Sequence, residues 1–392
     1  MPWNRESPMD QRVKLIGDWL TGAYSKSQLA RQYGISRPTL DKWLGRYADL
    51  GVDGLKEFSR RPFSSPFQTR DDLLELLLDF KRQHHSWGPK KLIHNLVRDN
   101  PRQPWPAVST AGEWLKRAGM VQTRRKPNRP PTGPIKLRAA NEPNKTWAAD
   151  FKGDFALQGG KRCYPLTITD QASRFLLLCR AQPSVAGARE GFEWAFREYG
   201  LPDVIRTDNG SPFASTGVTR LSSLSVWWIR LGIYPERIQP GRPDQNGRHE
   251  RMHRTLKAAL LDTPQSNLIQ QQLAFEAFRH EFNYDRPHEA LGMQVPADIY
   301  TPSARSYCGY LPAVEYPSDM EVRNVRLNGA MKWKGKLIFL SEALVSQPVG
   351  LREVDDGVWD LYLCDYPLGR LERGATRLSS LKSCKGCPRS GL

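Results

Sequence analysis

The run H249-E250-R251-M252-H253 sets two histidines four positions apart around a glutamate. On a helix that spacing puts both imidazoles on one face, where they can bind Zn²⁺ with the glutamate as general base. A third ligand would have to be Glu276 or Glu281, because no further histidine follows at the extended zinc-peptidase spacing in HERMHRTLKAALLD. Glu250 also has a second use. Asp150 stands inside the apolar run WAADF, and Asp208 is followed at once by NGSPF. Three carboxylates that converge repel one another unless divalent cations lie among them, and hard cations such as Mg²⁺ take oxygen ligands. Singly, each has an ordinary use: a strand-end hydrogen bond for Asp150, an Asx-turn for Asp208, a favourable place in the helix dipole for Glu250. Asp154, four residues further along the same expected strand, and Asp170, closing a turn before Ser173-Arg174, rank below Asp150.

Bringing these groups together requires a sheet. WAADFKGDFAL, RCYPLTITDQ and RFLLLCRAQ read as three consecutive strands, followed by a helix in SVAGAREGFEWAFREYG and a fourth strand in DVIRTDNG. A second helix, a short strand around IYPERIQP and helices near 247–262 and 267–285 complete the region. A meander followed by strand–helix alternation predicts a mixed sheet with helices on its faces. Sites in such sheets gather beyond the carboxyl ends of strands, where Asp208 falls. Glu250 opens a helix after a Gly/Pro-rich loop, with Asn246 placed to cap it.

Residues 10–48 carry helix-turn-helix punctuation: small Ala30 at a helix contact, Gly34 in the turn, Ile35, Leu40 and Trp43 inward, and Ser36 capping a third helix that tolerates Pro38. Arg37, Thr39, Lys42 and Arg46 then face a major groove, unless the unit is a plain three-helix bundle with a solvated basic face. Residues 70–118 show three more helical patterns, the last capped by Ser109 or Thr110. From 122 to 145 the chain is rich in proline and cations, Arg124, Arg125 and Lys126 among them, and suits either a phosphate-tracking segment or a spacer. Beyond about 305, alternating apolar and polar residues around Asn328-Gly329, Lys334-Gly335 and Asp356-Gly357 predict hairpins of a small all-β barrel.

The net charge of +17 over 392 residues favours a polyanionic partner, nucleic acid before anionic membrane. No run approaches the ~18 apolar residues of a spanning helix, so a soluble, intracellular protein is expected. Six cysteines without framework spacing suit a reducing compartment, and the Cys384/Cys387 pair lacks the second pair of a zinc ribbon.

WAADFKGDF, TDNGSPF, PGRPDQNGRHERMHRTLK and FNYDRPHEALGMQVPADIY, in that order, resemble the integrase core of DDE transposases from bacterial insertion sequences, which are similar to retroviral integrases. The resemblance spans Trp147 to Tyr300. It implies a multidomain protein with an α/β RNase H-like core at 146–302. Around that core the chain's own patterns place helix-turn-helix units at 1–55 and 66–121 (the second winged-helix-like), a basic linker at 122–145, a β-barrel at 305–376 and a flexible tail at 377–392, and the helix-turn-helix pair and β domain fit such a transposase. It implies that Asp150, Asp208 and Glu250 hold two Mg²⁺ ions, with Mn²⁺ able to substitute. Arg248, Arg251, Arg254 and Lys257 would then meet DNA, Lys257 matching a basic residue that these enzymes place near the DNA end. The expected partners are duplex DNA, as element end and target, and further copies of the chain in a synaptic complex. The expected location is the bacterial cytoplasm, on the nucleoid when DNA-bound, with no membrane. The Asp208-to-Glu250 interval is longer than is usual in the family, the excess falling in ASTGVTRLSSLSVWW. Three other uses of the chain remain open: a non-catalytic helix-turn-helix regulator, a metal-dependent nuclease without strand transfer, and a zinc metallopeptidase through residues 249–253.

Overall fold

The computed structural model describes residues 7–58, 69–121, 137–138, 140–261 and 263–379. They fall into two units, Met1–Gln68 and Thr69–Leu392. In the first, helices α1 (Pro8–Leu20), α2 (Lys26–Gln32) and α3 (Arg37–Leu50) begin at Ser7, Ser25 and Ser36, each of which caps its helix with its hydroxyl. Pro38 sits in the first turn of α3, where its missing N–H is harmless. Between α2 and α3 the chain turns through Tyr33–Ser36, with Gly34 at φ 61°, the left-handed conformation that glycine adopts without strain. Leu15, Ile16, Leu29, Ala30, Leu40, Trp43 and Leu55 form the core of this unit. The inward residues and the tight turn are those expected of a helix-turn-helix.

The second unit opens with α4 (Asp71–Gln83), α5 (Pro89–Asp99) and α6 (Val108–Arg117), packed around Leu77, Trp87, Leu92 and Leu115. The connection from residue 100 to 107 is longer than the three or four residues of a helix-turn-helix turn. It opens with a turn in which Gln103 N donates to the carbonyl of Asn100 at 3.3 Å, and Pro104 and Pro106, which have no N–H, lie between that turn and α6. Ser109 and Thr110 do not cap α6: the cap position is Ala107, and both residues lie inside the helix.

A five-stranded sheet follows, in the order β5-β4-β1-β6-β7. Its strands are β1 (Thr146–Phe151), β4 (Leu166–Asp170), β5 (Leu176–Arg180), β6 (Val204–Thr207) and β7 (Tyr234–Arg237), with a small hairpin, β2 (Phe155–Ala156) and β3 (Arg162–Cys163), between β1 and β4. β1 runs antiparallel to β4 and parallel to β6, which makes the sheet mixed as expected. Helices α7 (Ala188–Tyr199) and α8 (Ser223–Arg230) cover one face through Phe192, Phe196, Trp227 and Trp228. On the other face α9 (Gly247–Leu256) and α10 (Leu268–His280) pack through Met252, Leu256, Phe275 and Phe278. Both helices end in a π-helical turn, Lys257–Leu261 and Glu281–Asp285. Asp154 lies beyond the end of β1, in a loop where its carboxylate pairs with Arg162, so it does not share the strand of Asp150.

The segment 214–222 closes through an isolated bridge between Ala214 and Leu221, and Ser222 caps α8. The C-terminal region is all-β. β8 (Glu321–Asn324), β11 (Pro348–Asp355), β12 (Val358–Leu363) and β13 (Tyr366–Glu372) form an antiparallel sheet in the order β13-β12-β11-β8, beside a hairpin of β9 (Ala330–Trp333) and β10 (Lys336–Phe339). Lys334 and Gly335, both at positive φ, make the hairpin turn. Among the described residues no ladder joins the hairpin to the sheet, so the expected barrel is reduced to two separate sheets. Their shared core takes in Leu221, Val226 and Ile229 from α8 and the segment before it. Residues 122–136, including Arg124, Arg125 and Lys126, and residues 380–392, including Cys384 and Cys387, lie outside the described residues.

Candidate active site and metal centre

Alternation along β1 decides where Asp150 points. Trp147 and Ala149 join the core under α7 and α8, so Ala148 and Asp150 face α9. In the β1–β4 register Asp150 opposes Thr167 and Ala148 opposes Thr169, which puts both threonines on that face as well. Asp208 follows the last residue of β6, the neighbour of β1, and its Oδ1 accepts from Gly210 N at 3.1 Å. Glu250 lies in the first turn of α9. Asn246, at the cap position, makes no capping bond, and its Oδ1 is buried without a partner, so the expected cap is absent and α9 starts from the 3₁₀ turn Pro243–Asn246.

The Asp150 carboxyl is pushed up to about 7 by burial and by the carboxylates of Asp208 and Glu250, with Lys152 opposing. The three acids are therefore electrostatic neighbours. Neither Asp208 nor Glu250 forms an ion pair among the described residues. A half-buried group of carboxylates without a cationic partner fits divalent cations, and its all-oxygen donor set suits Mg²⁺. The competing acid is excluded by its contacts: Asp170 is fully buried and accepts from Asn144 N (2.8 Å), Ser173 N (2.8 Å) and Ser173 Oγ (2.7 Å), which makes it the clasp of the β4–β5 turn.

Asp150, His249 and His253 also have ligand atoms within 4.8 Å of one another, so a zinc reading has a geometric basis. The hydrogen bonds dispose of it. Thr167 Oγ1 lies 2.8 Å from His249 Nε2, 2.6 Å from His253 Nε2 and 3.0 Å from the carbonyl of Asp150. A carbonyl only accepts, so the hydroxyl donates there and both Nε2 atoms donate to it. His249 Nδ1 then accepts from Thr169 Oγ1 at 2.7 Å. The point on which the two imidazoles converge is filled by a threonine hydroxyl. Burial keeps both rings neutral, pushing His249 down to about 3 and His253 lower still. The other proposed zinc ligands are occupied: Glu281 takes the indole N–H of Trp87 at 2.9 Å, and Glu276 pairs with Arg279 at 2.9 Å.

The histidines thus belong to the buried side of α9, with Met252 and Leu256, and not to a DNA-facing side. Arg251, Arg254 and Lys257 are exposed on the opposite side. Arg248 is partly committed, donating to the carbonyls of Gln171 (2.7 Å) and Ala140 (3.3 Å). On α3, Arg37 and Lys42 are exposed; Thr39 is tied to Ser36 at 2.8 Å; Arg46 stacks on Phe58 with its guanidinium 4.4 Å from the ring centroid.

The integrase core domain model matches residues 140–243, and a second model of the same description matches 231–296. Residues 140–296 thus match an integrase core domain. The flanks agree with this: residues 11–63 match a helix-turn-helix domain, and 320–378 match the C-terminal domain of IS481 family transposases. Similar proteins include the insertion element IS476 uncharacterized 39.2 kDa protein of Xanthomonas euvesicatoria, 28% identical over 285 residues, covering 72% of this chain and 79% of the relative. Another is the insertion element IS407 uncharacterized 31.7 kDa protein of Burkholderia multivorans, 28% identical over 42% of this chain and 57% of its own length. Among solved structures, a simian T-cell lymphotropic virus intasome in complex with PP2A regulatory subunit B56 gamma aligns over 75% of this integrase-core chain and 97% of the matched one, with 16% identity and a TM-score of 0.37. Domain content and relatives together support a transposase-type protein that binds and integrates DNA. Among the described residues no helix is long and apolar enough to cross a membrane.

Thr167 and Thr169 were not singled out from the sequence. Their signal is two hydroxyls in the strand LTIT, where an apolar residue fills such a place more cheaply, opposite two histidines four apart.

Proposed function

We propose that this chain is a transposase that binds the ends of a mobile DNA element, cleaves a strand and joins its 3′-hydroxyl to target DNA. Asp150, Asp208 and Glu250 hold the catalytic metal. The observation that carries this is the half-buried gathering of three carboxylates with, among the described residues, no cationic side chain paired to Asp208 or Glu250. The three carboxylates would hold two Mg²⁺ ions, or Mn²⁺ in their place, which would supply activation of the attacking oxygen and stabilisation of the leaving one in an in-line displacement.

The chain's own residues do the rest. Asp150 and Asp208 come from adjacent parallel strands, so the sheet fixes their separation. Glu250 comes from a helix, and the two histidine–threonine contacts fix that helix against β4. Arg251, Arg254 and Lys257 on its outer side neutralise backbone phosphates beside the cut, each contact worth a slope of about −0.9 in log affinity against log salt. Arg37, Lys42 and, through its packed guanidinium, Arg46 place α3 in the major groove of an element end. More than one copy of the chain pairs two ends before joining.

Incubating the protein with Mg²⁺ and a labelled element-end duplex tests the assignment. Asp208→Asn and Glu250→Gln should bind DNA and fail to cut or join. Tight binding by the wild type with no cutting at any divalent metal would establish a regulator instead.

A further inference from the structure

Away from the carboxylates, three elements of the second unit bring three basic side chains and a neutral histidine to one place. Lys91 lies on α5, Arg174 in the β4–β5 turn, and Arg286 and His288 just after the π-helical turn that ends α10. Arg251 reaches the same place from the outer side of α9, one residue from Glu250.

Their contacts show them held but not neutralised. Lys91 Nζ donates to the carbonyl of Pro287, and Arg286 Nη1 donates to Ser86 Oγ at 3.1 Å. Arg174 adopts φ 67° in a turn clasped by Asp170, a conformation rare for a residue with a side chain, and its Nε is buried with no hydrogen-bond partner. His288 Nε2 is likewise buried and unpartnered. No ion pair is made by Lys91, Arg174, Arg251 or Arg286 among the described residues.

The nearby acids are engaged or exposed. Glu281 takes Trp87 and His84, Asp170 takes Asn144 N and both donors of Ser173, and Glu289 pairs at 3.5 Å with Lys90. The mutual repulsion is visible in the titration. Lys91 is pushed down to about 7 by burial, with Arg286 and Arg251 adding to it and Glu289 opposing, and Arg174 is pushed down to about 10 by burial, Arg248 and Arg251, with Asp170 opposing. Half-buried cations that form no ion pair among the described residues are completed by an anion, and an arginine fork with unused N–H groups suits phosphate. The set is drawn from α9, the β4–β5 turn, α5 and the segment after α10, and groups on separate elements suit successive phosphodiesters.

We propose that Lys91, Arg174, Arg251, Arg286 and His288 form a second phosphate-binding site that grips the backbone of a DNA duplex beside the active site and ties the α4–α6 helices to it. This site rests on the transposase reading above and names where its substrate is held. The segment DRPHEA, conspicuous in the sequence, supplies Arg286 and His288 to it.

The test is the salt dependence of duplex binding by fluorescence anisotropy, in EDTA, for the full chain and for Arg174→Gln, Lys91→Gln and Arg251→Gln, with Arg174→Lys as the folded, charge-retaining control. A single neutral methylphosphonate is also walked along the duplex. Each charge-removing variant should lower the salt slope by about one. At one or two linkages the methylphosphonate should weaken the wild type and Arg174→Lys but weaken Arg174→Gln no further. Slopes equal to wild type for all three variants, or no linkage with that behaviour, overturn the site. Cutting assays on wild type in Mg²⁺ separate the two claims. Cutting with unchanged slopes removes this site and leaves the chemistry; changed slopes without cutting do the reverse. Failure of the wild type to bind duplex removes both.

Discussion

The hydroxyl of Thr167 stands 2.6 Å from His253 Nε2 and also receives His249 Nε2 at 2.8 Å, so one strand residue anchors two turns of the helix that carries Glu250. Thr167→Val keeps the shape and removes the acceptor. Two buried imidazole N–H groups are then unsatisfied at about 1–3 kcal/mol each, and a loss of roughly 2–4 kcal/mol is expected in a denaturant melt. Strand cleavage should fall by about 10- to 100-fold, because small misplacement of a catalytic group has that effect. Thr167→Ser should retain most of both. Equal melts for Thr167→Val and wild type would show that the anchor is not formed.

The same contacts speak to the metal. Thr167 and Thr169 engage both ring nitrogens of His249, and Thr167 engages Nε2 of His253, which leaves His253 Nδ1 alone facing Asp150 and too few ligands for zinc. Zinc content measured by mass spectrometry should be the same for wild type and for the double variant His249→Asn/His253→Asn. Loss of one equivalent in the double variant would restore the zinc reading.

His288 offers a pH prediction. Burial, with Lys91, Arg286 and Arg174 nearby, pushes it down to about 3 from the ordinary 6.5, while a backbone bond at Phe282 opposes. The unfolded chain takes up this proton near 6.5 and the folded chain only near 3. The stability it confers is thus complete above 6.5 and is lost as pH falls toward 3. In urea melts without DNA, His288→Gln should be less acid-sensitive than wild type, by roughly 3 kcal/mol between about pH 7 and pH 4. Parallel acid profiles would contradict this.

The β region should depend on α8. Leu221, Val226 and Ile229 lie in its hydrophobic core, and Arg230 donates to Gln347 at 2.6 Å and to the carbonyl of Pro312 at 2.8 Å. Leu221→Asp buries an unpaired carboxylate and should destabilise the chain by about 3 kcal/mol or more. Limited proteolysis should then release the C-terminal β region earlier than in wild type; an unchanged time course would show that this packing is dispensable.

Much of the architecture was legible because it is written in local patterns. Ser36, Gly34 and Pro38 each have one physical use, and together they mark the helix-turn-helix. The strand carrying Asp150 announced itself through Trp147, Ala148 and Ala149, and the turn at Lys334-Gly335 through its left-handed requirement. What stayed hidden depends on pairing across the chain. Thr167 is an ordinary strand residue until β4 lies beside β1 and His253 descends on it. Asp170 looked like a weaker catalytic candidate until Asn144 and Ser173 filled its oxygens. Asn246 has the right chemistry for a cap, but the 3₁₀ turn before it sets a backbone angle at which no capping bond forms. The strand pattern after 320 specifies hairpins, while closure into a barrel depends on how the sheets meet, which alternation does not encode.

The central claim is that Asp150, Asp208 and Glu250 act together through bound divalent metal. Its most direct measurement is strand joining on a labelled element-end duplex in Mg²⁺, comparing wild type, Asp150→Asn, Asp208→Asn, Glu250→Gln and the double variant His249→Asn/His253→Asn. Joining should be lost by a factor of 10³ or more, as an order-of-magnitude estimate, in every carboxylate variant with duplex binding retained. Joining that survives the carboxylate changes and is abolished only by the histidine variant would contradict it.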